Sequence, residues 1–267
     1  MWCHPYLGDL TGSREAELVT TIGQGILADD PIHTKKNSHL AQRTIRSVCA
    51  SCNNGWMSAL ETAAKPKLLP LITGQVGSLS ADDQLLVAQW IAMKVMVAEH
   101  DRPENIVTPE SDRVAFMRDR TIPGYYEIRI GQHNEKWTVA YLRKTYCLAF
   151  GDRETAIGAL SDGPVKNVQD VSFIMGRLVV SAAASRTNKS IAEMFAMSDQ
   201  VLPRIWPQSG KEVDWPPPRP IERRHTESLA SRFDDLEAAN KTFWMQHPRE
   251  PLNLDAILDA LAARKKL

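Results

Sequence analysis

Residues 48–61 read VCASCNNGWMSALE, and the organisation of the first part of the chain follows from this stretch. Cys49 and Cys52 are separated by two residues, a spacing that lets both thiols face one point from a tight turn. The preceding residues 43–48, RTIRSV, mix β-branched and polar side chains and predict a short strand. A strand that runs into a cysteine turn is thus the first structural expectation.

A helix is predicted directly after this turn. Apolar residues recur at offsets of three to four from Trp56 onward, as on one face of a helix. Pro66 and Pro70 interrupt the pattern and predict where the helix ends. The local order is therefore strand, cysteine turn, helix.

The four cysteines of the chain point to metal or redox chemistry at the turn. They stand at positions 3, 49, 52 and 147, too few and too unevenly spaced for a disulfide framework. Structural zinc takes about four nitrogen or sulfur ligands, and the turn supplies two. The candidates for the rest, by residue type alone, are Cys3, His4, His33 and His39. A thioredoxin-like redox pair is an alternative, although the alternating strands and helices of that fold are missing.

Composition limits the kinds of partner. The 267 residues contain 32 Lys plus Arg and 32 Asp plus Glu, so the net charge supplies no long-range attraction to nucleic acid or to an anionic membrane. Any contact with nucleic acid has to be local. No stretch reaches the roughly 18 apolar residues of a membrane span, and no signal-peptide pattern opens the sequence. We expect a cytoplasmic protein with no membrane contact.

The remainder of the chain predicts helices packed on an antiparallel sheet. Residues 1–40 have little regular pattern and are expected to be loop with at most short elements. Ser80 and Asp83 form a capping-box-like start for a long buried helix that ends near residue 100. The other predicted elements are a helix at 110–120, strands at 125–130, 137–142, 146–150, 171–174 and 178–183, an extended proline-rich strap at 206–220, and amphipathic helices at 226–239 and 254–266.

The fold class expected from these elements is α+β. A small zinc-knuckle module of short strand plus helix is predicted over residues 1–74 and a helix-plus-antiparallel-sheet domain over 75–220. C-terminal helices are predicted over 221–267.

The stretch 48–61, followed by AAKP at 63–66 and LLPLITG at 68–74, resembles the second cysteine pair of a group of bacterial and phage HNH endonucleases. The similarity extends more loosely through Gln89-Trp90 and the sheet to about Pro218. It implies a metal-dependent nuclease that hydrolyses DNA phosphodiester bonds. In that family a hairpin and a helix clasp the metal, and a Glu-His dipeptide supplies the general base.

Roles for particular residues follow from this resemblance. Cys49 and Cys52, with Cys3, are expected to bind structural Zn²⁺, and Asn53 is expected beside a catalytic Mg²⁺ or other divalent ion. Met1-Trp2 resembles the residues that follow the family's Glu-His, which implies that the family's base and first cysteine pair would precede residue 1. His4 is a candidate either for a displaced base or for a zinc ligand beside Cys3. Arg43 and Thr44 stand where the middle Asn of the family is expected.

Alternatives stay open for several of these residues. Arg43, Arg46 and Lys65 are either a phosphate-binding edge for DNA or ordinary surface charges. The Asn53-Asn54-Gly55 run also fits a turn that needs a left-handed residue, and Trp56 is either a base-stacking residue or a core anchor. The alternative function is a non-catalytic DNA- or protein-binding remnant that keeps the zinc knuckle for its shape.

Overall fold

The cysteine turn leads into two helices that pack on a sheet. The structure is a computed structural model that describes residues 17–22, 32–37, 47–134, 138–146, 148, 166–187, 189–195, 197–222, 225, 229, 232–234 and 236. Its helices are α1 Ala50–Cys52, α2 Ser58–Thr73, α3 Ala81–Glu99, α4 Glu110–Asp119 and α5 Ile191–Met194. Its strands are β1 Glu17–Ile22, β2 Ile32–Asn37, β3 Gly77–Leu79, β4 Tyr126–Gln132, β5 Thr138–Tyr146, β6 Val168–Gly176, β7 Leu178–Ser185, β8 Arg204–Trp206 and β9 Val213–Trp215.

Seven strands form the main sheet, in the order β2-β1-β5-β6-β7-β4-β8. Neighbours in this sheet are antiparallel except for β1 and β5, which run parallel. The strands β3 and β9 form a separate antiparallel pair. The predicted α+β class, helices with an antiparallel sheet, is therefore confirmed, whereas the pairing of β1 and β2 with the sheet was not predicted.

The long helix α3 begins as the sequence predicts. The Ser80 hydroxyl accepts a hydrogen bond from the Asp83 backbone N–H at 3.2 Å, and the Asp83 carboxylate accepts one from the Ser80 N–H. This reciprocal capping box satisfies two N–H groups that have no partner within the helix. Residues on all sides of α3, including Val87, Trp90 and Met93, are buried. The helix packs against both α2 and the sheet, which explains why its apolar residues cover more than one face.

The prediction that Pro66 and Pro70 end the preceding helix is wrong, because α2 continues through both to Thr73. A proline inside a helix costs about 3 kcal/mol, whereas burying one large aliphatic side chain contributes about 1.5–3 kcal/mol. Helix α2 buries Leu60, Ala64, Leu68, Leu71 and Ile72 in the core that it shares with α3 and the sheet. Burial along one whole face of the helix therefore offsets the proline penalty.

Two strand predictions also need correction. Ser47 and Val48 are not in a strand, which contradicts the end of the predicted strand 43–48, and the rest of that stretch lies outside the described residues. Strand β5 is continuous to Tyr146, where two strands with a break were predicted. The chain stays extended at Arg143 and Lys144 because both are buried and bonded, Arg143 to the Asn105 carbonyl and Lys144 to the carboxylate of Asp234.

Side chains cover the main sheet on both faces. Ile128, Phe173 and Val180 face the core formed with α2 and α3. On the opposite face, Ile174 and Val179 pack with Leu202, Ile221 and Leu229, while Tyr146 and Val168 pack with residues of α5 and with Phe233 and Leu236. The described residues between 225 and 236 are helical, in agreement with the start of the predicted helix 226–239; the predicted helix 254–266 lies outside the described residues.

The proline-rich strap follows the predicted extended path and contains β9, with Trp215 buried and Trp206 partly buried. No helix in the described part of the chain is long and apolar enough to cross a bilayer. The domain boundaries after Gly74 and Pro220 stay predictions.

Candidate metal-binding turn

The Cys49–Cys52 turn forms the start of the helical segment that leads into α2. Cys49 has an extended backbone (φ −66°, ψ 154°) and caps α1, with its Sγ accepting a hydrogen bond from the Cys52 backbone N–H at 3.3 Å. The Asn53 N–H donates to the Cys49 carbonyl at 2.9 Å. These two bonds close the turn around the sulfur of Cys49 and hold it beside Cys52.

The two thiols differ in acidity. A hydrogen bond with the Ser51 side chain, whose Oγ lies 3.2 Å from the Cys49 Sγ, and further bonds from Cys52 lower the pKa of Cys49 to about 7. The pKa of Cys52 is raised, mainly because its side chain shares a hydrogen bond with Cys49. A thiolate is the form of cysteine that binds metals and attacks electrophiles. Without a bound metal, the Cys49 thiol therefore loses its proton at a lower pH than the Cys52 thiol.

Asn53 lies next in the chain, on the exposed side of the turn. Its Nδ2 donates to the Asn54 Oδ1 at 3.2 Å, which leaves the Asn53 Oδ1 available as an acceptor or ligand. Asn53 begins a π-helical turn that ends at Met57, and within it Gly55 has φ −92°. The expectation that this run needs a left-handed residue is therefore wrong.

Trp56 attaches the turn to the body of the molecule. Its ring packs edge-on against Phe116 of α4, with ring centroids 6.0 Å apart. The Arg120 guanidinium lies over the same ring, 4.0 Å from its centroid. Arg120 ends α4 in a left-handed conformation (φ 63°), and its guanidinium donates to the Phe116 carbonyl at 2.9 Å. These contacts favour the interpretation of Trp56 as a core anchor.

A second sulfur contact joins the turn to α4. The Cys52 thiol lies 4.0 Å from the Met117 Sδ, and the Met117 side chain remains 40% exposed. Residues 52 and 117 are far apart in sequence, so no local pattern predicts that they meet. The Cys52 thiol, which also hydrogen-bonds with Cys49, therefore lies next to the Met117 thioether.

The basic residues expected to contact DNA are only partly described. Arg43 and Arg46 lie outside the described residues, and Lys65 is partly buried on α2. Glu61, in the first turn of α2, forms an ion pair with the buried Lys94. This pairing makes Glu61 part of the contact between α2 and α3.

The described residues do not by themselves form a zinc site. Among them, no group of three or more His, Cys, Asp or Glu side chains is placed to hold a metal ion. Cys49 and Cys52 fit two of the four positions of a tetrahedral thiolate site. The Cys49 sulfur also accepts a hydrogen bond from the Cys52 backbone N–H, a contact of the kind that orients a metal ligand. Cys3, His4 and His39, and the side chain of His33, fall outside what the structure describes.

Sequence reasoning missed a buried polar cluster at the end of α3. The Glu99 carboxylate is completely buried and accepts hydrogen bonds from the Thr108 hydroxyl at 2.7 Å and from the Gln169 amide. The Thr108 hydroxyl also lies 2.5 Å from the Tyr126 hydroxyl. Burial raises the pKa of Glu99, although the nearby Arg143 opposes the shift. A glutamate inside the apolar pattern of α3 was the one sequence signal for this cluster.

Comparison with protein-family models, curated proteins and solved structures produced no match for this chain. The similarity to HNH endonucleases therefore rests on residues 48–74 and on the looser pattern that follows them.

Proposed function

We propose that this protein is an HNH-type metal-dependent endonuclease that hydrolyses DNA phosphodiester bonds. The observation that carries the proposal is the turn itself. Cys49 accepts the amide hydrogen of Cys52 at the beginning of a helical segment, and Asn53 follows on the exposed side. A paired thiol turn followed by an exposed carboxamide agrees with the resemblance of the sequence VCASCNNGWMSALE to these nucleases.

In this proposal Cys49 and Cys52 hold a structural Zn²⁺, with Cys3 as a further ligand from the first residues of the chain. The low pKa of Cys49, about 7, favours the thiolate that zinc requires. The Trp56 contacts with Phe116 and Arg120 keep the turn attached to α4 whether or not the metal is bound. Zinc would therefore shape the turn while α4 positions it.

Asn53 is proposed to act at the phosphate. A divalent ion such as Mg²⁺ stabilises the negative charge that develops on a phosphodiester during hydrolysis. The Asn53 Oδ1, which does not take part in the bond to Asn54, is able to orient that ion's water or the phosphate from the exposed face of the turn. His4 is proposed as the general base that accepts a proton from water.

Contact with DNA would be local in this proposal. The whole chain carries 32 basic and 32 acidic residues, so its net charge does not attract DNA over a long range. Arg43, Arg46 and Lys65 flank the turn in sequence and are proposed to contact phosphates near it.

A second candidate function is a non-catalytic DNA- or protein-binding module that keeps the turn for its shape. One observation favours it. Residues 47–74, which include the turn and α2, contain no histidine, so this segment does not supply the histidine base that the nuclease mechanism uses beside Asn53. The two candidates agree about the cysteines and differ about Asn53.

A DNA-nicking assay distinguishes them. Supercoiled plasmid is incubated with the protein in Mg²⁺ or Mn²⁺, and Asn53→Ala is compared with Asn54→Ala, a matched change at the neighbouring exposed amide. An endonuclease nicks the plasmid and loses about 100-fold in rate in Asn53→Ala, as is typical when a group that stabilises transition-state charge is removed, while Asn54→Ala stays active. Equal rates in both variants would remove Asn53 from the mechanism. DNA binding without nicking would support the second candidate.

A further inference from the structure

Sulfur-bearing side chains from two distant parts of the chain meet where the Cys49–Cys52 turn contacts α4. The Cys52 Sγ lies 4.0 Å from the Met117 Sδ, and the Cys52 side chain also hydrogen-bonds with Cys49. We propose that Cys49, Cys52 and Met117 form a three-sulfur site for a soft monovalent cation, Cu(I). This inference concerns the cysteine pair of the proposed function but does not depend on nuclease activity.

The separation of the sulfurs suits a shared metal ion. Metal–thiolate bonds are about 2.3 Å long, so two sulfurs on one ion stand about 3.8–4.0 Å apart. The observed 4.0 Å between Cys52 and Met117 matches that spacing. Neither side chain needs to move far to bind the same ion.

The position of Met117 is determined by packing that does not involve the sulfurs. Phe116, its neighbour in α4, is buried against Trp56, and Arg120 on the next turn lies over the Trp56 ring at 4.0 Å. The thioether is thus held near the thiols by contacts that remain when it is replaced. Although methionine is usually buried, Met117 is 40% exposed, and this exposure lets an ion reach the sulfurs from solvent.

The chemistry of the ligands selects the ion. Thiolates together with a thioether favour Cu(I), whereas a thioether is a poor ligand for hard cations such as Mg²⁺. Within the described part of the chain no cluster of three His, Cys, Asp or Glu side chains competes for the ion. The proposed zinc site takes further ligands from residues 1–46, whereas the Cu(I) site needs only the turn and α4. Binding releases the remaining thiol protons to water and leaves the metal as Cu(I).

Met117→Leu tests the site because it removes the sulfur and keeps an apolar side chain of similar size. The control is Val114→Leu, which alters a 46% exposed residue on the same helix without removing sulfur. Cu(I) affinity is measured on zinc-free protein, because zinc would occupy the same two thiols, by competition with a chromophoric Cu(I) chelator in the absence of oxygen. Zinc affinity is measured separately. We expect Met117→Leu to weaken Cu(I) binding about tenfold, an effect in the range found when a group around a metal is lost.

Zinc affinity should be the same in both variants, and Val114→Leu should bind Cu(I) like the unmodified protein. X-ray absorption of the Cu(I) protein should show three sulfur neighbours. Two sulfur neighbours, or equal Cu(I) affinity in Met117→Leu and the unmodified protein, would overturn the proposal. Zinc affinity and plasmid nicking are measured in separate experiments. A protein that binds no zinc or does not nick DNA would therefore still give a clear result for Cu(I) binding.

Discussion

The thiols of Cys49 and Cys52 differ in pKa even though they stand on one turn. The Ser51 hydroxyl and Cys52 stabilise the Cys49 thiolate and lower its pKa to about 7, while the pKa of Cys52 is raised. In metal-free protein, iodoacetamide should therefore modify Cys49 first, with a half-maximal rate near pH 7. Peptide mass spectrometry over a pH series measures this directly.

Ser51→Ala provides the matched control for that difference. It removes the largest cause of the low pKa of Cys49, so the midpoint of Cys49 modification should move to higher pH. Faster modification of Cys52, or an unchanged Cys49 midpoint in Ser51→Ala, would contradict this assignment.

At this scale the sequence identifies residue types but not the side chains that surround them. The spacing of Cys49 and Cys52 is readable because two thiols on one turn lie close in sequence. The spacing of residues in the sequence does not predict the contacts of Met117 and Arg120 with the turn, because these contacts depend on the packing of α4 against Trp56. The same holds for the acidity of Cys49, which depends on how the Ser51 hydroxyl is oriented.

At the scale of elements, the end of α2 is closed by a distant hairpin. Gly74 ends the helix in a left-handed conformation (φ 73°), and the Arg177 N–H, between β6 and β7, donates to the Ile72 carbonyl at 2.9 Å. A Cβ on Gly74 would lie 2.4 Å from the Arg177 Cδ. Gly74→Ala therefore combines a left-handed alanine with displacement of a side chain.

We expect Gly74→Ala to lower the free energy of unfolding by about 1–2 kcal/mol, the usual cost of a left-handed residue that has a Cβ. Urea denaturation measures the change. Gly77→Ala is the control, because a Cβ there meets nothing within 4 Å. Equal stability of the two variants would mean that the α2 end tolerates a side chain.

Local signals predicted some elements well and failed on others for identifiable reasons. The α3 start was predictable because Ser80 and Asp83 satisfy each other's backbone groups within one turn. The length of α2 was not, because burial of Leu68 and Leu71 outweighs the local effect of Pro66 and Pro70. Continuity of β5 likewise depends on distant partners of Arg143 and Lys144.

At the scale of the whole molecule, the buried cluster around Glu99 connects α3, the segment before α4, and strands β4 and β6. Burial raises the pKa of Glu99 above its ordinary value of 4.5. The folded protein therefore holds this proton at pH values where the unfolded chain has released it. The stability contributed by protonated Glu99 is complete below pH 4.5 and is lost as the pH rises through the folded pKa.

Glu99→Gln should remove that loss, because an amide does not ionise. The unfolding free energy of the variant, relative to the unmodified protein, should increase as the pH rises above 4.5. Denaturation at several pH values measures this difference, and Glu104→Gln, on an exposed side chain, is the matched control. A pH-independent difference for Glu99→Gln would contradict the raised pKa.

The α+β class was predictable from the periodicity of the later strands and of α3. The parallel pairing of β1 with β5 was not, because it joins residues 17–20 to residues 140–143 across the chain and leaves no local pattern. The fold also sets Cys52 against α4, which the order of elements alone does not show.

The zinc content of the purified protein tests the central claim, that the Cys49–Cys52 turn is a metal site, most directly. Zinc is measured by elemental analysis in the unmodified protein, in Cys52→Ser and in Ser51→Ala, which retains both thiols. We predict about one zinc per chain in the unmodified protein and in Ser51→Ala, and none in Cys52→Ser, as for a site that needs both thiolates. The same zinc content in Cys52→Ser and the unmodified protein, or no zinc in any of the three, would contradict the claim.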